Sequence, residues 1–107
     1  MPHNYCLITI TTGSREEAER LAQMLVDARL AACVQIMPTE SFFNWQDSLH
    51  KEKEWLLHVK TRLPLYKQVE SAVLEQHTYE NSEILCLPIV LGSAAYLDWI
   101  DESTKSR

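Results

Sequence analysis

The sequence predicts a single α+β domain whose elements follow the order β-α-β-β-α-β-α. Three observations support this: a β-branched apolar run at residues 5–12, a helix start signal directly after it, and an alternating pattern that precedes a second helix start signal. The chain has 107 residues, which suits one compact domain with a real core, and we assign that domain to residues 1–107.

The first strand and the first helix have the strongest local signals. The run YCLITITT at residues 5–12 is almost continuously apolar, which is typical of a strand buried on both faces in the middle of a sheet. Ser14 and Glu17 have the spacing of a capping box, in which the carboxylate reaches back to the cap. Apolar residues then recur at three- and four-residue steps, at Ala18, Leu21, Ala22, Leu25 and Ala28.

The middle of the chain predicts a pair of strands. Residues 30–38 return to strand character, and Pro38 marks an edge, a bulge or an exit from pairing, because proline cannot donate to a strand ladder. Residues 41–61 contain two strand segments joined by a polar turn around residues 46–52, with alternation along the second segment. This pattern predicts an antiparallel hairpin.

The last third of the chain predicts a second helix, a strand and a short terminal helix. Pro64 supplies a helix start signal, and the helix is expected to end near His77. The strand at residues 83–90 contains Pro88, which argues for an edge position or an interruption. The terminal helix is expected to be N-capped by Ser93.

This order of elements predicts a ferredoxin-like sheet. Two right-handed β-α-β crossovers that share a central hairpin give a four-stranded antiparallel sheet with both main helices on one face. The other face would be wet in a monomer. Because several aromatic side chains exceed what one small helix can cover, we expect a partner chain against this sheet. These aromatic residues are Tyr5, Phe42, Phe43, Trp45 and Trp55.

Composition excludes several function classes. The formal net charge is −5 and the Lys and Arg residues are scattered, which argues against a nucleic-acid partner. No apolar stretch approaches the ~20 residues of a membrane span, and the first residues lack the basic start and apolar run of a signal peptide, so a cytoplasmic protein is expected. Cys6, Cys33 and Cys86 show neither disulfide nor zinc spacing and are expected to be small buried hydrophobes.

Several segments together resemble the CutA divalent-cation-tolerance family: ARLAACVQIMP, SFFNW, HTYENSEI and AYLDWI, in this order and nearly end to end. The resemblance implies a ferredoxin-like subunit in a tight homotrimer, whose hairpin strands continue the sheet of a neighbour. Residue by residue, the family pattern covers Arg29, Ala31, Ala32, Cys33, Ser41, Trp45, Lys60, Thr61, His77, Tyr79, Glu83, Tyr96 and Trp99.

Two departures from the family pattern affect packing. Thr78 and Ser82 stand where the family usually has proline, which predicts a more mobile loop after the second helix, because proline restricts its own backbone and that of its predecessor. Phe43 replaces the middle aromatic of an S-x-Y-x-W pattern and removes one hydroxyl group.

A third departure concerns metal. The copper ligands proposed in bacterial relatives are a cysteine near the end of the first strand and a histidine pair, and Ile10 and Gln76 leave only His77 in those places. A copper site needs two or three converging thiolate or imidazole ligands, whereas only His77 and Glu80 share one short loop. We therefore expect no required cofactor, and copper or another divalent cation bound weakly at His77.

A ligand cleft between subunits is predicted from Lys60, His77, Tyr79 and Glu83, with Trp45 as a further wall. In this cleft Lys60 would hold a small anion and Glu83 would orient it or pair with the lysine. The alternative is structural, a buried ion pair of Lys60 and Glu83 with Tyr79 packed across it. Because neither a nucleophile with its base nor a Gly-rich phosphate loop is recognisable, we do not expect an enzyme.

Two functions stay open at this point. The first is a non-enzymatic homotrimer that takes part in divalent-cation tolerance, and in the response to metal such as copper, by binding a metal ion or small ligand weakly near His77. The second is a trimeric signalling or scaffold module whose loops bind a protein partner or an anion and whose link to metal is indirect.

Overall fold

The computed structural model describes residues 4–79 and 81–106, and the predicted order of elements is confirmed there. The elements are β1 (Tyr5–Thr12), α1 (Arg15–Asp27), β2 (Cys33–Trp45), β3 (Ser48–Arg62), α2 (Tyr66–Gln76), β4 (Ile84–Pro88) and α3 (Ala94–Ser103). A short 3-10 turn, Leu63–Leu65, with proline in its first turn, leads into α2.

The sheet has four strands in the order β2-β3-β1-β4, and every neighbouring pair is antiparallel. The apolar first strand therefore lies between β3 and β4, as its composition predicted. Pro38 and Pro88 lie on β2 and β4, the two edge strands, where a missing amide donor is tolerated. Both main helices pack on one face of this sheet, which confirms the ferredoxin-like α+β arrangement.

The face under the two helices is the core face. Alternate residues of β1 and β3 point into it, and their side chains interdigitate with apolar residues of α1 and α2. Each large aliphatic side chain buried here contributes about 1.5–3 kcal/mol relative to its exposed state. The fully buried set includes Ile8, Ile10, Leu21, Leu25, Leu57, Val59, Val69 and Val73.

The start of α1 confirms one half of the predicted capping box and corrects the other half. Ser14 Oγ accepts a hydrogen bond from the Glu17 amide at 3.1 Å, as an N-cap should. The Glu17 carboxylate does not return to the cap. It is buried, and it accepts hydrogen bonds from the Thr78 amide at 2.9 Å and from the Thr78 hydroxyl at 3.0 Å. Donors on the loop after α2 therefore replace the local partner.

The hairpin turn is shorter than the predicted polar turn. Only Gln46 and Asp47 lie outside the strands, and both have positive φ, 52° and 64°. Positive φ at both central residues gives a turn whose twist matches that of the strands, so pairing continues to Trp45 opposite Ser48. The polar residues that follow Asp47 therefore belong to β3.

The start of β2 also differs from its prediction. The strand begins at Cys33, because the amides of Leu30 and Ala31 still bond the Leu25 carbonyl at the end of α1. Leu30 and Ala31 thus belong to the helix terminus, whereas the Ala32 amide already donates to the Lys60 carbonyl of β3 at 2.9 Å.

The opposite face of the sheet, which we call the open face, is contacted at one end by α3 and the residue that follows it. The Tyr5 hydroxyl donates to Asp101 at 2.6 Å, and Arg62 Nε donates to Thr104 Oγ1 at 2.8 Å. Beyond this contact Leu85 and Leu87 are 58% and 45% exposed. This face therefore exposes apolar surface, but these leucines are not among the aromatic residues from which a partner chain was expected.

Two of the aromatic residues from which a partner chain was expected make contacts within the chain instead. Tyr5 bonds Asp101, and Trp55 packs against the core cluster with the Arg15 guanidinium 5.1 Å from its ring centroid. Phe42, Phe43 and Trp45 remain exposed on the hairpin. No helix in the described parts of the chain is long and apolar enough to cross a membrane.

Candidate functional site

The side chain of the predicted site residue His77 is buried at the end of α2, and both of its ring nitrogens form hydrogen bonds. Nε2 lies 2.6 Å from the Thr11 carbonyl oxygen, and the Tyr79 amide donates to Nδ1 at 3.0 Å. Because a carbonyl can only accept and an amide can only donate, the imidazole is the neutral tautomer with its proton on Nε2. Its side chain is 1% exposed.

Glu17 ties the first turn of α1 to the same loop. Its carboxylate accepts from both donors of Thr78 and lies 3.5 Å from His77 Nδ1. A buried carboxylate needs such donors because burial without them is strongly unfavourable. The side chains and backbone of α1, the end of β1 and the loop after α2 are thus joined in one network.

Tyr79 extends this network to β3. Its hydroxyl donates to Glu54 at 2.7 Å. The pKa of the Tyr79 phenol is well above its usual range, mainly because the ring is partly buried and also because of this hydrogen bond. A Cβ at Gly13 would lie 3.2 Å from the Tyr79 hydroxyl, so glycine leaves room for the ring. We call Glu17, Glu54, His77, Thr78 and Tyr79 the His77 cluster.

Thr78 holds the loop through groups that a proline lacks. Where the family pattern has proline, Thr78 offers an amide and a hydroxyl, and Glu17 accepts both. The loss of proline predicted greater mobility here, and these two hydrogen bonds restrain it at Thr78. Glu80, the other residue considered for metal, lies outside the described residues.

Lys60 and Glu83 lie at different places on the open face. Lys60 is opposite Leu7 in the ladder, whereas Glu83 directly precedes Ile84, which pairs with Ile10 toward the other end of β1. Glu83 accepts from Thr9 Oγ1 at 3.1 Å. Within one protomer Lys60 and Glu83 therefore do not form the ion pair of the structural alternative, because the register separates the two side chains. A pair across a subunit boundary stays a prediction.

Lys60 instead contacts the terminal helix. Its Nζ donates to the Tyr96 hydroxyl at 3.4 Å and lies 5.4 Å from the centre of the same ring. Trp45, the remaining predicted residue, lies at the hairpin turn and is 38% exposed. A single protomer therefore brings His77 and Tyr79 together and leaves Lys60, Glu83 and Trp45 apart, so a shared cleft needs more than one subunit.

No group of three or more His, Cys, Asp or Glu side chains that could hold a metal ion is found in residues 4–79 and 81–106.

The three cysteines lie on different faces of the sheet. Cys86 pairs with Ile8 and so shares the core face with Cys6. Burial, and then a hydrogen bond with Cys86, raises the pKa of the Cys6 thiol to about 12. Cys33 is half-buried opposite Lys60 on the open face. Metal binding at His77 stays a prediction.

Two residues of this site were not predicted from the sequence: Glu54, which accepts a hydrogen bond from Tyr79, and Gly13, which leaves room for the Tyr79 ring. Glu54 lies in a charged segment that reads as an exposed turn, yet it is 8% exposed because Tyr79 covers it. Gly13 immediately follows the first strand, and a glycine between a strand and a helix cap is a signal of close approach. That signal could have indicated a side chain packed over the turn.

Residues 6–103 match the protein family described as CutA1 divalent ion tolerance protein. The divalent-cation tolerance protein CutA of Archaeoglobus fulgidus is 42% identical over 103 residues, which cover 96% of this chain and 99% of that protein. The chloroplastic protein CutA of Arabidopsis thaliana is 37% identical over 101 residues, covering 94% of this chain. The chain spans 56% of the length of that plant protein.

Solved structures agree with this match. A structure described as the periplasmic divalent cation tolerance protein CutA of Archaeoglobus fulgidus superposes with a TM-score of 0.93 at 40% identity, over 94% of this chain and 99% of that one. CutA1 from a psychrotrophic Shewanella gives a TM-score of 0.94 at 34% identity, over 99% and 100% of the two chains. The chain therefore belongs to the CutA1 divalent ion tolerance protein family.

Proposed function

We propose that this chain acts in divalent-cation tolerance as a non-enzymatic homotrimer that binds metal ions, copper included, only weakly. Family membership supports the role in tolerance, and relatives carry that role in their names. One structural observation supports weak binding: both nitrogens of the buried His77 imidazole are already in hydrogen bonds.

A metal ion at His77 must compete with these hydrogen bonds. Coordination through either nitrogen leaves the Thr11 carbonyl or the Tyr79 amide without its partner, at a cost of about 1–3 kcal/mol for a buried group. That loss weakens binding by roughly one to two powers of ten. Exposed side chains bind metal without this loss, so surface histidines are the better ligands.

The homotrimer is supported by the two free edges of the sheet. The edge strands β2 and β4 carry unpaired backbone groups, and exposed apolar side chains stand beside them. Phe42 on β2 is 62% exposed, and Leu85 on β4 is 58% exposed. Hairpin strands that continue the sheet of a neighbouring subunit would pair one edge and bury the exposed apolar side chains beside it.

We place the function of this trimer in the cytoplasm.

In such an assembly the ligand cleft would form between subunits. Lys60, Glu83 and Trp45 are apart within one protomer, and each is at least partly accessible. Residues from neighbouring subunits would complete the cleft, with Lys60 as the anchor for a small anion. His77 and Tyr79 would form a rigid wall of this cleft.

A second candidate function follows from the same observation on His77. If the imidazole serves only to lock the loop, the link to metal is indirect, and the trimer acts as a signalling or scaffold module for a protein partner or an anion. Protection of the segments around Lys60 and Glu83 by such a partner, with no selective metal binding, would favour this function.

Titration calorimetry of the metal-free protein with Cu(II) and Zn(II) tests the proposal. We expect weak heats that are unchanged in His77→Ala and reduced when the hairpin residue His50 is replaced in His50→Ala. Light scattering should give a mass of three chains of 12.4 kDa each. One tight metal equivalent per subunit that disappears only in His77→Ala would contradict weak binding, and a monomer at micromolar concentration would contradict the trimer.

A further inference from the structure

A cavity of about 530 Å³ lies at the far end of α1 from the His77 cluster, where the helix terminus meets α3. Because α1 has 13 residues, about 20 Å separates its two ends. Arg29, Ala31 and Trp99 line this cavity, and so does Asp27. We call it the Arg29 cavity, and none of its residues belongs to the predicted cleft.

Arg29 occupies a backbone conformation that does not favour it. Its φ is 59°, and the other non-glycine residues with positive φ in the described parts of the chain form the hairpin turn. Its amide donates to the Val26 carbonyl at 3.1 Å as the helix ends. Glycine is the usual residue at this position of a helix terminus, since any Cβ is strained there. The positive φ at Arg29 therefore points to a role for its side chain.

Hydrogen bonds and ion pairs in the described parts of the chain do not supply this role. Arg29 Nε is the one buried side-chain nitrogen or oxygen without a hydrogen-bond partner in residues 4–79 and 81–106. The ion pairs of this part of the chain do not include Arg29, although Asp27 lines the same cavity. A buried donor without an acceptor is unfavourable, which points to a missing acceptor.

Part of the cavity wall is apolar, beside the polar side chains of Asp27, Glu102 and Ser103. Trp99 is 44% exposed, and the small side chains of Ala31 and Ala32 are buried beneath the opening. An indole face of this kind stacks planar or apolar groups. Glu102 also lines the cavity, but it already pairs with Lys105 at 2.8 Å.

We propose that the Arg29 cavity binds a small zwitterion with a flat apolar group, that is, an aromatic amino acid. The guanidinium turns so that its Nε and a terminal nitrogen hold the carboxylate as a fork, Asp27 holds the ammonium group, and the ring lies on Trp99. A compact dianion such as phosphate fits less well, because Asp27 and Glu102 would repel it. This site is separate from the proposed role in metal tolerance.

Calorimetry with three related probes tests the ligand class on the full chain in its native assembly. L-Phenylalanine should bind in a saturable way with one molecule per chain. Phenylpropionate lacks the ammonium group and phenethylamine lacks the carboxylate, so each should bind at least tenfold more weakly. Equal affinity for phenylpropionate would overturn the assignment to a zwitterion, and no saturable binding of phenylalanine would overturn the site.

Arg29→Gly separates a ligand role from a structural role. Glycine suits the positive φ, so we expect the variant to keep or raise the thermal midpoint while phenylalanine affinity falls at least tenfold. The control variant Arg20→Ala replaces an exposed arginine of α1 and should leave affinity unchanged. A lower midpoint or loss of the assembled state in Arg29→Gly would show that Arg29 makes structural or subunit contacts, and would overturn the proposal.

Discussion

The two ends of α1 differ in how far their polar groups are satisfied. At the N-terminal end, Glu17 accepts two hydrogen bonds and His77 uses both ring nitrogens. At the C-terminal end, Arg29 keeps a buried donor without a partner beside Asp27. At the N-terminal end the polar side chains find their hydrogen-bond partners within the chain, while at the C-terminal end one donor is still available to a ligand.

This difference separates a structural cluster from a candidate binding site. A saturated network has little to gain from a ligand, because each new bond must replace an existing one. An unsatisfied donor gains its full hydrogen bond when a ligand supplies the acceptor. The presence of histidine, tyrosine and glutamate is therefore a weaker sign of function in this chain than one unpaired arginine nitrogen.

The largest expected effect is that of His77→Ala at the saturated end. The change leaves the Thr11 carbonyl and the Tyr79 amide without partners and should lower the free energy of unfolding by about 2–5 kcal/mol. Urea denaturation measures it. His50→Ala near the hairpin turn is the control and should change stability by about 0.5 kcal/mol or less. Equal losses in both variants would show that the cluster is not a structural lock.

Tyr79→Phe should have the next largest effect. It removes the donor to the buried Glu54 carboxylate, for an expected loss of about 1.5–3 kcal/mol at neutral pH. The pKa of Tyr79 is raised in the folded chain, so its contribution is fully present below the ordinary tyrosine value of about 10 and declines as pH rises above it.

The pH profile of unfolding checks this sign. Wild-type stability should fall more steeply above pH ~10 than that of Tyr79→Phe, because the variant has no phenol to ionise at this place. Tyr66, whose pKa is raised to about 12 mainly by its hydrogen bond to Glu70, contributes in the same direction, so both curves retain some slope. Identical slopes for the two proteins would contradict the role of Tyr79.

Gly13→Ala tests how closely the loop packs on α1. A Cβ at this position would lie 3.2 Å from two atoms of the Tyr79 ring, so the ring must shift by a few tenths of an ångström. We expect a loss of about 1–2 kcal/mol in thermal or urea unfolding. In the double variant with Tyr79→Ala the clash is absent, and most of the loss due to Gly13→Ala should disappear.

The fold could be predicted from sequence because its signals are local. The apolar run of β1 indicated a central strand, and Pro38 and Pro88 indicated the edges, since a proline amide cannot join a ladder. The hairpin turn was placed less accurately because Gln46 and Asp47 adopt positive φ without a glycine. The rules that placed β1 and the two edge strands depend on residues close in sequence, and these assignments were confirmed.

The site was harder to predict because its contacts are distant in sequence. Glu17 fitted a local capping box, yet its partner Thr78 is 61 residues away. Lys60 and Glu83 seemed compatible as a pair until the register placed them toward different ends of β1. Spacing along the chain does not contain this information, because strand register is set by the whole sheet.

The smallest expected effect, and the sharpest test of the loop, is that of Thr78→Pro. Proline lowers the entropy of the unfolded chain by about 0.4–1 kcal/mol, and His77 is already extended with ψ 140°, as a residue before proline should be. Proline also removes both donors to the buried Glu17 carboxylate. Since the second effect is the larger, we expect a net loss of about 1 kcal/mol in urea denaturation. Thr78→Val, which keeps the amide, should lose less, and a net gain for Thr78→Pro would show that rigidity alone holds this loop.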